Sequence, residues 1–213
     1  MSVLMLVLEV IAGLIVVFGL FYRFWFLRDP LRLAPSGSNI VSPADGKVIE
    51  IRKVNCRNSR NGSTAIRKSN GMIYSDVSDV AKDCWIITIF MTPLNVHYQR
   101  APYEGKIIST KHTRGTFKSA EKPRPENENN QILIKTSVGN MKVIQIAGFI
   151  ARRIVCFVKK NEKIKKGQKL GIIKLGSQVC LIMPASNKIN LKIKKGDKVK
   201  AGETIIAAIA GKK

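Results

Sequence analysis

The chain begins with a long stretch that has almost no polar positions. Residues Val3 to Tyr22 are apolar except for Glu9 and two glycines, Gly13 and Gly19. About 20 such residues span a bilayer core as a helix. Residues 1–28 are therefore predicted to form a transmembrane anchor. A cleaved secretory signal is disfavoured, because no basic region precedes the stretch and no small-residue cleavage site follows it. Glu9 leaves open a re-entrant hairpin.

Basic residues lie on one side of this stretch only. Arg23, Arg28 and Arg32 follow it, and no Lys or Arg precedes it. Cytoplasmic flanks carry the excess of basic residues, so the rest of the chain is predicted to lie on the cytoplasmic side of the cell membrane. The aromatic residues Phe24 to Phe26 would sit at the membrane interface.

Beyond Pro30 the pattern changes to short apolar runs bounded by glycine, proline and asparagine. Such runs are typical of β-strands, and no convincing amphipathic helix separates them. The fold is predicted to be mostly β, in a sandwich or barrel-like form, with a surface loop at residues 121–130. The predicted strands are Val48 to Ile51, Trp85 to Met91, Lys106 to Thr110, Gln131 to Thr136, Lys142 to Ala147 and Ile154 to Val158.

Two segments occur twice. Ile164 to Leu170 returns as Ile193 to Val199, and Pro43 to Val48 returns as Pro102 to Ile107. Each copy places a glycine in a turn between apolar strands. The first pair resembles the hammerhead hairpin of biotinyl and lipoyl carrier domains. This likeness favours a barrel-sandwich hybrid.

The composition is strongly basic, with 37 Lys and Arg against 14 Asp and Glu and a net charge of +23. Such an excess usually indicates nucleic acid or an anionic membrane as partner. The membrane is favoured, because the basic residues are spread through strand-like segments and no nucleic-acid-binding motif is present. The cysteines are scattered, and with two histidines they predict reduced packing residues and no metal site. They are Cys56, Cys84, Cys156 and Cys180.

The tripeptide Leu175-Gly176-Ser177 suggests that the chain cuts itself between Gly176 and Ser177. The serine hydroxyl would attack the preceding carbonyl, and glycine tolerates the strained backbone that this requires. Elimination from the resulting ester and hydrolysis with loss of ammonia would leave a pyruvoyl group at residue 177. Alone, Gly-Ser is an ordinary turn pair.

Three further residues could take part in acid–base chemistry. His97 lies in a polar turn after the most apolar strand, where a histidine is more often structural. Asp45 precedes glycine in a turn-forming sequence, and His112 is expected at a strand end on the surface. One acid, one base and one serine could together deprotonate a hydroxyl. No Gly-x-Ser-x-Gly occurs, which disfavours an α/β-hydrolase triad.

Several segments together resemble one family almost from end to end. They are Phe26 to Pro30, Val41 to Val48, Phe90 to His97, Arg100 to Pro102, Glu126 to Glu128, Gln145 to Val155, and Gly167 to Gly171 leading into Leu175-Gly176-Ser177. Over roughly residues 20 to 210 the chain is similar to the phosphatidylserine decarboxylase family, in its short membrane-anchored form close to the archaetidylserine type.

The resemblance implies a pyruvoyl-dependent decarboxylase made as a proenzyme. Residues 29–213 would form the catalytic domain, cut into a β chain, 1–176, and an α chain, 177–213. Ser177 would become the covalent pyruvoyl cofactor. Its ketone would form a Schiff base with phosphatidylserine, or an analogous serine phospholipid, and act as an electron sink during decarboxylation to the ethanolamine lipid.

The resemblance also implies residue roles. Asp45, His97 and Ser177 would act in self-processing, with His97 as the base and Asp45 as its orienting partner. His97 is also the expected proton donor in decarboxylation. Arg100, which stands where longer members have a second histidine, is either a ligand of the lipid phosphate or a solvated surface residue. The site reads Leu-Gly-Ser-Gln, where the short type more often has Phe-Gly-Ser-Arg.

Three alternatives remain open. A biotinyl or lipoyl carrier module would need a lysine at a hairpin tip between methionines, and Met141-Lys142-Val143 has half of that pattern. A pyruvoyl enzyme for a soluble amino acid would need no anchor. A membrane-bound interaction protein without activity predicts an intact chain. The ester or ether nature of the lipid, and whether the chain forms a homo-oligomer, are also left open.

Overall fold

The computed structural model describes residues 2–55, 63–68, 71–114, 128–147, 153–174 and 177–210, with the backbone alone for 63–68, 71–74 and 177. The described elements form one long helix and a series of short strands. They are α1 (Val3–Leu20), a π-helical turn (Phe21–Phe26), β1 (Asn39–Val41), β2 (Gly46–Asn55), β3 (Ser63–Lys68), β4 (Gly71–Asp76), β5 (Asp83–Met91), β6 (Tyr98–Arg100), β7 (Gly105–Thr113), β8 (Asn129–Thr136), β9 (Gly139–Ala147), β10 (Arg153–Cys156), β11 (Lys163–Ile164), β12 (Lys169–Lys174), β13 (Ser177–Pro184), β14 (Ile189–Leu191), β15 (Lys198–Val199) and β16 (Ile205–Ile209).

The apolar N-terminal stretch forms a helix without a break. Together α1 and the π-helical turn cover Val3–Phe26, long and apolar enough to cross a membrane. The helix continues without a break past Glu9, so the alternative of a re-entrant hairpin at this residue is wrong. Ser2 caps its first turn, accepting a hydrogen bond from the backbone N–H of Met5. All of α1 is exposed, as expected for a helix whose apolar surface faces lipid.

An antiparallel sheet of eight strands, curled into a half-barrel, forms the centre of the rest of the chain. Its strand order is β11-β7-β8-β9-β13-β5-β2-β15, with β10-β12-β6 and β1-β16-β14 as smaller sheets and β3-β4 as a hairpin. The main core lies on one face of the large sheet, and a second cluster around Val77 and Cys180 covers the other. The mostly β fold expected from the sequence is confirmed.

The internal repeats have a structural counterpart. Strands β2 and β7 each lie second from an edge of the large sheet. Gly46-Lys47 pairs with the edge strand Lys198-Val199, and Gly105-Lys106 pairs in the same way with Lys163-Ile164. At both glycines a Cβ atom would lie within 2.3 Å of a carbonyl oxygen of the next strand. The repeated Gly-Lys therefore reflects two equivalent strand contacts.

The predicted strands are all present, with different bounds. The strand predicted at Ile154 to Val158 is shorter in the structure, because β10 ends at Cys156. The predicted loop at 121–130 ends earlier, since Asn129 and Asn130 already belong to β8; residues 115–127 lie outside the described part. Cys84, Cys156 and Cys180 are free thiols, and Cys56 lies outside the described residues.

The structure does not support the alternative of a biotinyl or lipoyl carrier module, whose modified lysine would lie at the tip of a hairpin. Lys142 lies inside β9, is 4% exposed and has its ammonium group 2.6 Å from a carboxylate oxygen of Asp79. A lysine that carries a swinging cofactor must be exposed at a turn. This buried, paired lysine cannot act in that way.

Candidate active site

Ser177 is the first residue of the central strand β13. It lies opposite Met91 at the end of β5 and opposite Ala147 at the end of β9. The structure describes the backbone of Ser177, while Leu175 and Gly176 lie outside the described residues. The proposed cleavage point is therefore at one end of the sheet, where three neighbouring strands meet.

His97 is brought to the same end of the sheet by two connections. Only five residues separate it from Met91, which lies opposite Ser177. Its carbonyl oxygen accepts a hydrogen bond of 3.3 Å from the backbone N–H of Ile173 in β12. Ile173 precedes Ser177 by four residues, which span at most about 14 Å. The fold thus places two residues 80 positions apart in sequence in the same region.

The imidazole of His97 is held as a neutral ring. Its Nδ1 lies 2.8 Å from the carbonyl oxygen of Asn95, and because a carbonyl only accepts, Nδ1 carries the proton. The side chain is fully buried, and its Nε2 has no hydrogen-bond partner among the described residues. Burial lowers the pKa of His97 to about 4, against the opposing effect of the Asn95 carbonyl and aided by the charge of Arg28. Nε2 therefore presents a lone pair that can accept a proton.

The turn that carries His97 is fixed by its own polar residues. The side-chain oxygen of Asn95 accepts hydrogen bonds from the backbone N–H and the hydroxyl of Thr92, at 2.8 and 2.9 Å. Arg28 donates a hydrogen bond of 2.6 Å to the carbonyl of Leu94. These contacts explain why the polar sequence after β5 forms a defined turn.

Asp45 makes its hydrogen bonds with residues other than His97. One of its carboxylate oxygens lies 2.9 Å from the guanidinium of Arg32, and the other accepts a 2.7 Å hydrogen bond from the backbone N–H of Ala201. Arg32 also pairs with Glu203 at 2.9 Å. The hydrogen-bond partner of the His97 ring is the Asn95 carbonyl. Asp45 instead joins the segment after the anchor to the C-terminal part of the chain.

Arg100 is buried and paired with other parts of the chain, so it is not a solvated surface residue. It is 9% exposed, and its guanidinium lies 2.9 Å from a carboxylate oxygen of Asp29 and 3.1 Å from the carbonyl oxygen of Gly167. Lys169 pairs with the other oxygen of Asp29 at 2.6 Å. In this structure Arg100 therefore fastens the segment after the anchor to the β domain.

Comparison with known proteins places this sequence in a family. The phosphatidylserine decarboxylase family model matches residues 19–207, which is most of the chain. The chain belongs to this family.

Relatives match over three quarters or more of their own length. One from Methanocaldococcus jannaschii, whose name is that of an archaetidylserine decarboxylase proenzyme, is 42% identical over 88% of this chain and 90% of its own. Phosphatidylserine decarboxylase proenzymes of Syntrophus aciditrophicus and Chlorobium phaeovibrioides are 40% and 39% identical, over 84% and 90% of this chain and 76% and 78% of their own. The resemblance seen in the motifs is confirmed.

For a member of this family the structure adds a row of buried amides that the sequence reasoning missed. Asn130 donates to Gln145 at 2.8 Å, Gln145 to Gln99 at 2.7 Å, and Gln99 to the carbonyl oxygen of His97 at 2.8 Å. All three amides are at most 1% exposed. A Cβ atom at Gly171 would lie 2.7 Å from the Gln145 amide nitrogen, so glycine is needed there. The sequence feature that could have indicated this row is Gln145, a polar residue inside the otherwise apolar segment Val143–Ala147.

His112 lies elsewhere, on the surface as expected. Its Nε2 is 3.0 Å from a carboxylate oxygen of Glu128, and its side chain is 44% exposed. Because β7 is separated from β13 by β8 and β9, His112 is three strands away from Ser177. His97 is the histidine that the fold places near the start of β13.

Proposed function

We propose that the chain is a membrane-anchored serine-phospholipid decarboxylase that processes itself between Gly176 and Ser177. The product would be the corresponding ethanolamine lipid and carbon dioxide. The observation that carries the proposal is the buried, neutral imidazole of His97 with a free Nε2 at the end of the sheet where β13 begins. Membership of a family of decarboxylase proenzymes supplies the reaction class.

In self-processing, His97 acts as the general base. Its Nε2 takes the proton of the Ser177 hydroxyl as the oxygen attacks the carbonyl carbon of Gly176. The Gly176–Ser177 amide bond breaks as the acyl group moves to oxygen, giving an ester. Loss of the Cα proton of residue 177 expels the Gly176 carboxylate, and water then releases ammonia to leave a ketone.

The two products of the cut would stay together. Strand β13 begins at Ser177 and lies between β9 and β5, pairing with each over at least six residues. The ion pair between Arg32 and Glu203 also joins the two parts, as does the hydrogen bond that the backbone N–H of Ala201 donates to Asp45. The α chain, 177–213, would therefore remain the central part of the fold and form a complex with the β chain.

The residues near position 177 fit a pyruvoyl group. Residue 177, at the end of its strand, lies opposite Ala147, which has a small side chain. The buried imidazole of His97, whose Nε2 has no hydrogen-bond partner among the described residues, lies in the same region. When formed, this group supplies an electron sink that allows an amino-acid carboxylate to leave as carbon dioxide. Around it, His97 would hold and return the proton that the product requires.

The apolar helix supports attachment to a membrane, and the basic residues that follow it support a position of the β domain on the cytoplasmic side. The helix Val3–Phe26 is a candidate span, and the basic residues after it favour a cytoplasmic domain. A chain with net charge +23 is attracted to an anionic leaflet, each nearby basic residue adding about 1 kcal/mol. This arrangement keeps the enzyme beside an anionic lipid substrate.

The test combines the chain mass with lipid turnover. Full-length protein in micelles should yield two chains, the smaller one starting at a pyruvoyl-blocked residue 177, and should convert phosphatidylserine into phosphatidylethanolamine. The Ser177→Ala variant should stay intact and inactive. An intact wild-type chain that still turns over lipid would overturn the proposal. Ether-linked archaetidylserine is assayed in parallel, because the relatives carry names of both kinds.

A further inference from the structure

A row of stacked aromatic rings runs along one side of the anchor helix. Phe18 and Tyr22 have ring centroids 6.4 Å apart, and Tyr22 and Phe26 have centroids 5.4 Å apart with planes within 8°. Residues four apart in an α-helix turn about 40° past alignment at each step. The π-helical turn, in which Leu27 donates to the carbonyl of Tyr22, takes more residues per turn and reverses this drift. The rings therefore stay in one line.

The last ring of this row lies on the candidate base. The Phe26 side chain is completely buried, and its ring centroid is 4.0 Å from that of the His97 imidazole. The two aromatic residues directly before Phe26 face outward, with Phe24 70% and Trp25 50% exposed. Phe26 is thus the residue whose aromatic ring joins the π-helical turn to His97.

This contact is held in place by the residues that follow. Arg28 donates hydrogen bonds to the carbonyls of Trp25, at 2.7 Å, and Leu94, at 2.6 Å, so it ties the end of the helix to the turn that carries His97. Asp29 then pairs with Arg100 and Lys169. The two residues Arg28 and Asp29, directly after the helix, therefore hold its end against the β domain.

We propose that Phe26 is a positioning residue whose ring covers the imidazole of His97, so that the end of the anchor forms one wall of the active site. The anchor then serves the chemistry as well as the location of the enzyme. The proposal rests on the proposed function. It implies that water is excluded from the His97 ring only while the end of the helix is in place.

The physical effect of the ring is to exclude water from the base. Burial disfavours the charged form of an imidazole, so an exposed His97 would be protonated more easily. The groups that act on the ring are the carbonyl of Asn95, from its own turn, and the guanidinium of Arg28, from the end of the anchor. Removing Phe26 should leave both in place and admit water to the ring. The base would then be lost at mildly acidic pH.

The first test measures the histidine itself and does not depend on activity. The chain has two histidines, so in full-length Ser177→Ala protein carrying His112→Gln, one imidazole remains for titration by NMR in micelles. Phe26→Ala should raise the pKa of His97 from about 4 towards 6.5. Phe24→Ala is the matched control, since it removes the same side chain from an exposed position two residues earlier. Equal titration in both variants would overturn the proposal.

The second test follows the rate of self-processing against pH in chains that keep Ser177. If the pKa of His97 returns to 6.5, the neutral fraction at pH 5 falls about thirtyfold, while little changes at pH 8. Phe26→Leu, which keeps an apolar cover, should restore the wild-type profile and guards against a folding defect in Phe26→Ala. A uniform loss at all pH values would show a structural role only and overturn the proposal. A wild-type chain that does not process would instead overturn the proposed function and leave the titration result standing.

Discussion

The Nδ1 of His97 lies 2.8 Å from the backbone carbonyl oxygen of Asn95. A backbone carbonyl thus does what a carboxylate does in many acid–base pairs: it fixes the tautomer that leaves Nε2 free. Unlike a carboxylate, it carries no net charge, and it raises the pKa of the ring by less than burial lowers it. This fits a base that must stay neutral until a serine proton arrives.

Replacing His97 with glutamine should stop self-processing. Loss of a general base typically lowers a rate by about 10²–10⁴-fold. The measurement is the time course of chain masses after synthesis. His112→Gln is the control, because that side chain is 44% exposed and lies three strands away. Normal cleavage in the His97 variant would remove this residue from the mechanism.

Replacing Asp45 with asparagine should lower the free energy of unfolding and should not directly affect the self-processing reaction. The substitution leaves Arg32, whose side chain is 8% exposed, with Glu203 as its remaining carboxylate. Breaking a buried ion pair from one side costs about 3–5 kcal/mol. Denaturant unfolding of the Ser177→Ala precursor measures this cost, and Glu203→Gln, at a more exposed carboxylate, should cost less.

The pH profile of processing separates this structural role from a catalytic one. If Asp45 acts only through the fold, Asp45→Asn changes the amount of folded protein and leaves the profile unchanged. A shifted profile would instead support the role that the family resemblance implies for Asp45.

Much of this molecule could be predicted from its sequence. The anchor and the strands follow from local hydrophobic pattern, which is set by neighbouring residues. The proximity of His97 and Ser177 came from resemblance to a family and not from pattern. It depends on the pairing of Met91 with Ser177 and of Ile172 with Tyr98, which no local signal encodes.

The contacts of charged residues were the least predictable part. The sequence places Arg28 and Arg32 in the basic flank of the anchor and leaves Arg100 as a phosphate ligand or a surface residue, whereas in the structure each binds the segment after the anchor to the β domain. Their partners are distant in sequence, up to 171 positions for Arg32 and Glu203. A sequence shows the charge of such residues, whereas the fold decides which opposite charge they meet.

Replacing Gln145 with leucine should destabilise the domain and slow processing. The change leaves the amide oxygen of Gln99 and the amide nitrogen of Asn130 without this partner in a fully buried site. Each unsatisfied buried group costs about 1–3 kcal/mol. Unfolding of the Ser177→Ala precursor gives the cost, with Gln168→Leu as a control at a half-buried amide. Equal effects at both positions would mean that the buried row has no special role.

Arg100 and Asp29 should behave as one unit. Arg100→Gln and Asp29→Asn each remove the same 2.9 Å ion pair, so the double variant should lose less stability than the sum of the single ones. A double-mutant cycle on the unfolding free energy measures this coupling. If Arg100 instead bound the lipid phosphate, its substitution would raise KM for lipid while Asp29→Asn would not. Additive stability effects together with that difference would return Arg100 to the substrate site.

Stability should fall as the pH is lowered from 6.5 towards 4. Burial lowers the pKa of His97 from 6.5 to about 4, so between these values the unfolded chain binds a proton that the folded chain does not. The contribution of the neutral ring is therefore fully present above pH 6.5 and is lost as the pH approaches 4. A shift of this size corresponds to about 3 kcal/mol.

The measurement is the unfolding free energy of the Ser177→Ala precursor at pH 7.5 and pH 4.5, compared with the same protein carrying His97→Gln. The difference between the two pH values should be smaller by about 2–3 kcal/mol in the glutamine variant. Asp76, whose pKa is lowered mainly by a hydrogen bond from Ser78, titrates in both proteins and so cancels from the comparison. Equal pH dependence in both would mean that His97 is not held neutral by burial, and the assignment of Nε2 as a ready base would fail with it.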